Sequence, residues 1–294
     1  MKPMIERIDK NVSPNWHFAD YHCDHSKDFV HCNWHYHNEI ELVIYIDPHC
    51  VSAGKLIMDD YVGDITDQTA YLIGSGIPHM LTGSSIATKD KASSSHIMWL
   101  DQDWLHTVID SVPALSSVSD LLLRAHKGLK LSPSTARQLF TLMNGACQLK
   151  PSAQFLRVIE ILLLLSEDKN AKSLTSRPYC LYVAKDTPIL DKLEKAQQFI
   201  AEHYNEAITV QHICRHLHMS ESSVYRMFEK HFSNSCSEHL KRYRLGKASE
   251  MLIRSKTPVS VVSERVGFSN LSNFNRQFKA AKNMTPTAFR QLFG

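Results

Sequence analysis

The sequence predicts a multidomain α+β protein, with a β-rich N-terminal domain, helices behind it and an all-α C-terminal domain. Three observations lead to this fold class. Short apolar runs alternate with turn residues in the first hundred positions, the period becomes helical from Gln102, and a helix-turn-helix pattern occurs twice in the last hundred positions. A chain of 294 residues is long enough for two domains, each with its own core.

Composition excludes several classes of protein. The apolar fraction of 43% is typical of a soluble globular protein, and no run approaches the roughly 18 apolar residues of a membrane-spanning helix. The first residues, MKPMIERIDKNV, contain no apolar core of the signal-peptide type. The seven cysteines show no CxxC pair. We therefore expect a reduced, cytoplasmic protein that has no contact with a membrane.

Residues 1–100 are predicted to form a β-rich domain. The segment from Glu39 to Ile46 is a compact apolar strand, and Tyr71 to Ile73 is another. Turn formers interrupt the apolar runs, including Gly63-Asp64 between these two strands and the run from Gly74 to Pro78 after the second. Little room remains in this part of the chain for long helices.

Residues 101–167 are predicted to be helical. Apolar residues recur there at three- and four-residue spacing, and Ser132-Pro133 and Lys150-Pro151 place proline where a helix can begin. We expect this segment, or the β-rich domain itself, to form the interface of a homodimer. The following residues, 168–188, are polar, contain two prolines and lack a clear period, so they are predicted to be an interdomain linker.

Charge is divided unequally along the chain. From Ile189 to the end there are 16 Lys and Arg against 9 Asp and Glu, whereas the preceding 188 residues carry 17 against 21. A basic C-terminal half joined to a mildly acidic half indicates that only one of them meets a polyanion. A solvated basic face is the alternative explanation.

The doubled pattern lies within residues 189–294. Its copies run from Ile208 to Lys230 and from Pro258 to Lys279, and each is predicted to be a short helix, a tight turn and a second helix. Arginine precedes phenylalanine by two residues in both second helices, as Arg226 with Phe228 and Arg276 with Phe278. The outward-facing residues are predicted to be Ser222, Ser223, Tyr225 and Arg226 in one copy, and Leu271, Ser272, Asn273, Asn275 and Arg276 in the other.

These outward faces suit the reading of base edges in double-stranded DNA. Arginine makes a bidentate contact to guanine, asparagine makes one to adenine, and an apolar tip touches the thymine methyl. Lys241, Arg242 and Arg244 lie on the connecting helix and are candidate contacts to the DNA backbone. A single copy would be explained equally well by a plain helical hairpin, but the duplication favours DNA binding.

A further set of residues in and around the two copies forms a specific motif. In the second copy it comprises Val266-Gly267-Phe268-Ser269, Phe274, Arg276, Phe278-Lys279 and Thr285-Pro286, and in and after the first it comprises Met219-Ser220, Arg226, Phe228, Arg244-Leu245 and Ala248. By these residues the C-terminal region resembles the DNA-binding domain of the AraC/XylS family of bacterial transcription regulators. The resemblance implies two recognition helices in successive major grooves, with Ser222, Ser223, Tyr225, Arg226, Leu271, Ser272, Asn273 and Arg276 at the base-reading positions.

Two turn positions depart from the pattern of that family. His218 stands where glycine is usual in the first turn, and Asn283 stands where glycine usually ends the second recognition helix. Histidine tolerates positive φ less well than glycine, so we expect slight strain at His218, while asparagine is the next-best residue for that conformation. Ser220 is the predicted N-cap of the first recognition helix.

The N-terminal domain has its own group of chemically active residues. His35, His37 and Glu41 are predicted to share one side of a strand, because side chains alternate with period two, and His79 follows a later turn. Three imidazoles and a carboxylate suit a divalent metal or a polar pocket for a small organic ligand. A second group, His22, Cys23, His25, His31 and Cys32, fits no metal template in its spacing.

The pattern H-x-H-x-x-x-E, followed by Pro78-His79, resembles both motifs of the cupin-type sensor domains found in many AraC/XylS regulators. Departures occur at Ser75, at Gln68-Thr69 and in the turn after the first strand. The resemblance implies a β-barrel that binds an effector through His35, His37, Glu41 and His79 without catalysis, without a cofactor and with low weight on a metal. It favours a carbohydrate as the effector.

The sequence therefore predicts a one-component transcriptional regulator rather than an enzyme. A small molecule would bind the barrel and change which DNA half-sites a dimer spans, and RNA polymerase stays open as a further partner. Two rivals share the same DNA-binding domain. One is a metal-dependent cupin enzyme, and the other is a regulator whose sensor domain has lost its ligand.

Overall fold

The computed structural model describes residues 13, 15–22, 34–85, 91–176, 178–179, 188–232 and 234–293. They fall into two compact units, which divide between Tyr179 and Cys180. The N-terminal unit combines strands with helices, and the C-terminal unit is helical, so the predicted α+β class is confirmed at this level. None of the described helices is both long and apolar enough to cross a membrane.

The strands of the N-terminal unit form two antiparallel sheets. One contains six strands in the order β1-β7-β2-β5-β8-β9, and the other contains three in the order β4-β3-β6. The strands are β1 (Trp16–His22), β2 (Ile40–Ile46), β3 (Ser52–Met58), β4 (Tyr61–Ile65), β5 (Thr69–Ile73), β6 (His79–Ser85), β7 (Ser94–Leu100), β8 (Leu129–Lys130) and β9 (Lys172–Ser173).

Strand β2 is apolar on both faces because both faces are buried. Leu42 and Ile44 point into a core shared with the helices that follow the strands, whereas Val43 packs with Leu56 and Tyr71 between strands of the two sheets. A continuous apolar run, rather than strict alternation, is typical of such a doubly covered strand. This burial explains why β2 gave the clearest strand signal in the sequence.

The two sheets do not join into a closed barrel in the part of the chain that the structure describes. The predicted barrel is thus not confirmed, although the β-rich prediction is correct. The segment before β2 reaches the smaller sheet through His35, which lies outside the regular strands and forms an antiparallel bridge with His79 at the start of β6.

Four helices follow the strands and cover one face of the larger sheet. Their apolar residues, among them Leu121, Leu139 and Ile161, share a core with Leu42. The predicted helix starts are confirmed, since Ser132 caps the third of these helices and proline occupies the first turn of the third and the fourth. The helices are α1 (Gln102–Ser111), α2 (Ser116–Ala125), α3 (Pro133–Met143) and α4 (Pro151–Glu167).

Part of the predicted linker packs onto the N-terminal unit. Strand β9 pairs with β8, and Tyr179 is buried beside Tyr71 in the core between the sheets. Residues 180–187 lie outside the described residues. The described residues of the predicted linker up to Tyr179 therefore fold with the strands, because a short strand pairing and a buried ring hold them there.

The C-terminal unit consists of seven helices among its described residues. They repeat with an offset of 50 residues, since the helix beginning at Glu221 corresponds to the one beginning at Leu271, and Cys236 corresponds to Pro286. The helices are α5 (Pro188–His203), α6 (Val210–Leu217), α7 (Glu221–Phe232), α8 (Cys236–Arg254), α9 (Val259–Arg265), α10 (Leu271–Lys282) and α11 (Pro286–Phe293).

Each repeat has an aromatic core behind its second helix. Phe228 and Phe232 have ring centroids 5.1 Å apart in the first repeat, while Phe274 and Phe278 are 5.6 Å apart in the second. All four side chains are fully buried. The arginine-x-phenylalanine pattern thus marks one outward and one inward position on the same helix, and it orients the exposed face of α7 and α10.

Candidate nucleic-acid interface and effector site

The predicted base-reading residues lie on one face of α7 and one face of α10. Ser222, Arg226, Ser272 and Arg276 are exposed, and Ser223 and Asn273 are half-buried. The apolar members of the set are also open to solvent, since Tyr225 is 43% and Leu271 is 42% exposed. Each helix therefore exposes hydrogen-bonding groups beside one large side chain, which is the phenol of Tyr225 in α7 and the isobutyl group of Leu271 in α10.

The turns before both recognition helices are held by side-chain caps. Oγ of Ser220 accepts a hydrogen bond from the Ser223 amide at 3.3 Å, which confirms the predicted cap of α7. Oδ1 of Asn270 accepts one from the Asn273 amide at 2.9 Å. Sequence reasoning missed this second cap, although asparagine immediately before an amphipathic helix is a known signal for one.

Both departures from the family pattern adopt the left-handed conformation that glycine would favour. His218 ends α6 with φ of 51°, and Asn283 ends α10 with φ of 56°. Gly267, in the turn between α9 and α10, has φ of 86°. The expected strain therefore falls on His218, because a histidine pays a larger steric cost in this region than asparagine or glycine.

The two recognition helices hold their arginines differently. Nη2 of Arg276 donates to Oδ1 of Asn273 at 2.9 Å, which links two predicted base-reading side chains. Nε of Arg226 instead donates to the backbone oxygen of Ser222 at 3.3 Å. In the second helix the guanidinium is therefore oriented by a neighbouring side chain, whereas in the first it is bonded to its own helix backbone.

The three predicted backbone contacts on α8 are in different situations. Lys241 forms an ion pair with Glu238 three residues earlier. Arg244 turns its guanidinium to the protein, with Nε donating to the oxygen of Tyr204 at 2.6 Å and Nη2 donating to the oxygen of Glu206 at 2.7 Å. Arg242 is half-buried. Arg244 is therefore the least available of the three for a phosphate.

The structure gathers the four predicted effector-site residues in the N-terminal unit. One ligand atom of each of His35, His37, Glu41 and His79 lies within 4.8 Å of the others, and all four side chains are buried. Glu41 is in β2 and His79 begins β6. His35 and His37 precede β2, so the prediction that they share a strand with Glu41 is wrong. Backbone hydrogen bonds between His35 and His79, of 2.9 and 3.0 Å, bring the segments together.

Glu41 is the centre of the hydrogen bonding in this cluster. Its Oε2 lies 3.0 Å from Nε2 of His37 and accepts from Nε1 of Trp99 at 2.8 Å. Burial alone would raise the pKa of Glu41, but the hydrogen bond to His37 and the nearby imidazoles lower it to about 2. Trp99 was not predicted, because its place opposite Glu41 depends on the pairing of β2 with β7.

The pKa values of His79 and His37 are shifted in opposite directions. Burial, the largest cause, lowers the pKa of His79 to about 3. Burial also acts to lower the pKa of His37, but the hydrogen bond and the charge of Glu41 raise it above its ordinary value. The cluster therefore holds a proton between His37 and Glu41, while His79 stays neutral at physiological pH.

The second nitrogen of two of these imidazoles is anchored to the backbone. Nδ1 of His37 donates to the oxygen of Glu39 at 2.9 Å, and Nδ1 of His79 donates to the oxygen of Ile77 at 2.8 Å. A proton on Nδ1 leaves Nε2 directed at the cluster, which is how metal-binding histidines are usually oriented. Three imidazoles and one carboxylate are a donor set for a divalent transition metal.

The other histidine and cysteine group lies almost entirely outside the described residues. Cys23, His25, His31 and Cys32 belong to the segment 23–33, which the structure does not describe. His22 is exposed at the end of β1.

Comparisons with known proteins agree with the double helix-turn-helix geometry. A family model described as a helix-turn-helix domain matches residues 213–292. The raffinose operon transcriptional regulatory protein RafR of Pediococcus pentosaceus is 26% identical over 35% of this chain and 38% of its own length. The lactose operon transcription activator of Staphylococcus xylosus is 27% identical over 35% of this chain and 37% of its own. Residues 213–292 of this chain therefore form a helix-turn-helix domain.

Other similarities extend further along the chain. The probable transcriptional regulator LumQ of Photobacterium leiognathi is 20% identical over 87% of this chain and 91% of its own. The crystal structure of ToxT from Vibrio cholerae O395 covers 96% of this chain and 99% of its own at 14% identity, with a TM-score of 0.40. In contrast, the chain spans less than two fifths of the length of the raffinose and lactose operon regulators.

Proposed function

We propose that the chain is a one-component transcriptional regulator that binds a specific site in double-stranded DNA. The observation that carries this proposal is the pair of recognition helices, α7 and α10, which present arginine and small polar side chains at positions 50 residues apart. Both lie within the segment that matches a helix-turn-helix domain. Base edges in two stretches of major groove are what such paired faces recognise.

The N-terminal unit is the proposed sensor, a cupin-type domain that binds a small-molecule effector. Its effector site comprises His35, His37, Glu41 and His79. Two relatives of the DNA-binding domain are named for raffinose and lactose operons, which supports a carbohydrate as the first class to test. The effector regulates only if it binds two arrangements of the protein with different affinity, since a ligand with equal affinity shifts no equilibrium. A homodimer and contact with RNA polymerase complete the proposal.

A divalent transition-metal ion is the second candidate for the effector. The donor atoms of the four residues already lie within 4.8 Å of one another, a distance that an ion spans but a sugar ring does not. The Nδ1 hydrogen bonds of His37 and His79 direct Nε2 of each ring into the cluster, where Nε2 of His37 is hydrogen-bonded to Glu41. An ion bound there would displace the proton shared by His37 and Glu41. A sugar would have to approach the cluster from one side.

Selection of genomic DNA tests the regulator proposal. The purified full chain is incubated with sheared genomic DNA of its source organism, and bound fragments are sequenced and footprinted. Enrichment of a few fragments, each protected over two adjacent stretches, is the expected result. Recovery of fragments in proportion to their abundance would contradict sequence-specific binding. Genes beside the enriched fragments then indicate which sugars to screen.

Metal analysis distinguishes the two effector classes. Protein purified without chelator is assayed for bound zinc, iron and manganese, and its melting temperature is followed as each metal is added. Stoichiometric metal that is lost in His79→Ala but kept in His22→Ala would favour the ion, since His22 is exposed and outside the cluster. A melting temperature raised by a sugar and unchanged by metals would favour the carbohydrate.

A further inference from the structure

Arg244 joins parts of the C-terminal unit that are far apart in sequence. It lies in α8, the helix that connects the two helix-turn-helix copies. Its guanidinium donates to the backbone oxygens of Tyr204 and Glu206, in the loop that precedes the first copy, at 2.6 and 2.7 Å. The ring of Tyr204 lies 5.3 Å from that of Tyr243, the neighbour of Arg244, so the loop is packed against α8 as well as bonded to it.

The same guanidinium lies against the turn of the second copy. A β-carbon added to Gly267 would lie 2.9 Å from Nε of Arg244 and 2.6 Å from the oxygen of Tyr204. Gly267 has φ of 86°, so glycine satisfies both the conformation and the close approach. The turn of the second copy, the side chain of Arg244 and the loop before the first copy therefore meet at one point.

An open groove of about 310 Å³ borders this point. Its lining is mixed, with polar residues such as Thr209 and Ser237 beside apolar residues such as Ile208, Leu240 and Phe268. The two hydrogen bonds of Arg244 cross from α8 to the loop before the first copy at this groove, and they link these segments directly.

We propose that Arg244 is a positioning residue that fixes how the two recognition helices are spaced, and therefore how many base pairs separate the two stretches of DNA that they read. The planar guanidinium is suited to this role because it donates two bonds in fixed directions, which an ammonium group does not. This inference rests on the proposed DNA binding. It replaces the role expected from the sequence, in which Arg244 binds a phosphate of the DNA backbone.

Spacing-dependent DNA binding tests the assignment. A fragment selected from genomic DNA is footprinted to define its two protected stretches, and one or two base pairs are then inserted or deleted between them. Binding of the full chain to this series is measured by fluorescence anisotropy at several salt concentrations. Wild-type protein, Arg244→Lys and Arg244→Gln are compared with Lys241→Gln, in which a cation on the same helix is removed.

A positioning role predicts a specific pattern of results. Wild-type protein prefers DNA with the natural spacing. Arg244→Lys and Arg244→Gln bind that DNA about tenfold more weakly, which is the equivalent of one hydrogen bond to a charged group. Both variants also lose the preference for the natural spacing. For both variants, the slope of log affinity against log salt concentration equals that of the wild type. Lys241→Gln keeps the spacing preference, and its slope falls by about one if Lys241 binds a phosphate.

The opposite pattern would overturn the assignment. If Arg244→Lys keeps wild-type affinity and spacing preference, and Arg244→Gln lowers the salt slope by about one, then Arg244 is a phosphate contact. Helical circular dichroism shows whether each variant is folded, and Arg244→Lys decides the question if Arg244→Gln is not. Failure of the wild-type chain to bind any selected fragment would instead contradict the proposed function.

Discussion

Asn273 accepts a hydrogen bond from Arg276 on the exposed face of α10, with 2.9 Å between Oδ1 and Nη2. The equivalent residue of the first copy, Ser223, instead lies 2.8 Å from the hydroxyl of Ser220 in the preceding turn. Only the second copy thus combines a bidentate donor with a side chain that orients it. The two recognition helices are unequal for this reason, and we expect α10 to discriminate more strongly between sequences.

Replacement of Asn273 should reveal this inequality. Asn273→Ala removes the acceptor that orients Arg276, and we expect a loss of about 1 kcal/mol in affinity for a selected DNA fragment. Ser223→Ala is the matched change in α7 and should cost less, since Arg226 does not depend on that side chain. Competition binding against random DNA measures both. Equal losses in the two variants would show that the hydrogen bond plays no part in recognition.

Gly267 should be intolerant of a side chain, and Gly145 provides the control. Both have positive φ, but an added β-carbon at Gly145 meets nothing within 4 Å, whereas at Gly267 it collides with the oxygen of Tyr204. We expect Gly145→Ala to lower the free energy of unfolding by about 1 kcal/mol and Gly267→Ala by about 3 kcal/mol. Urea unfolding monitored by circular dichroism compares them. Similar costs would mean that the turn moves away without penalty.

Replacement of His218 by glycine should stabilise the C-terminal unit. The left-handed conformation of residue 218 is sterically unfavourable for histidine. Glycine removes this steric cost and adds a smaller one, because it makes the unfolded chain more flexible. His218→Gly is therefore expected to stabilise the C-terminal unit by about 0.5 kcal/mol. Asn283→Gly is the matched control and should have a smaller effect, because asparagine tolerates this conformation. Hydrogen exchange of α6 and α7 reports the change. A destabilised His218→Gly would indicate that the imidazole makes a favourable contact.

His239 should make the C-terminal unit sensitive to acid. Burial against Phe228 and Phe232, followed by the charge of Arg242, lowers its pKa to about 4 from an ordinary value of 6.5. Between these values the unfolded chain binds a proton that the folded chain does not. Stability should therefore fall as pH drops from 6.5 to 4, by at most about 3 kcal/mol.

Hydrogen exchange of α7 and α8 at pH 7 and pH 5 checks this expectation. His239→Leu removes the titrating group while keeping an apolar side chain, and it should flatten the dependence. The expectation is wrong if the variant loses as much protection at pH 5 as the wild-type chain.

The helices were predictable because their signals are local. Proline at the start of α3 and α4, the 50-residue repeat and the inward phenylalanines are all visible in the sequence, and the structure bears them out. The gathering of His35, His37, Glu41 and His79 was also predicted, although His35 and His37 precede β2. Their backbone bridge to β6, rather than a shared strand, brings them together.

Contacts between distant segments were not predictable from one sequence. Trp99 bonds Glu41 because β7 pairs with β2 in one register, which neither strand specifies alone. Arg244 bonds two backbone oxygens about 40 residues away, and a carbonyl carries no signature in the amino-acid sequence. The two-sheet arrangement likewise depends on long-range strand pairing, and the expected barrel is not confirmed among the described strands.

The most direct test of the account is the binding of Arg276→Ala and Arg226→Ala to a selected genomic fragment and to random DNA. Both arginines are exposed on recognition helices, and each is expected to lose about 1–3 kcal/mol on the selected fragment with a smaller loss on random DNA. Arg276→Ala should lose more, because Asn273 orients that side chain. Equal losses on the two DNAs, or no loss at all, would contradict the claim that these helices read bases.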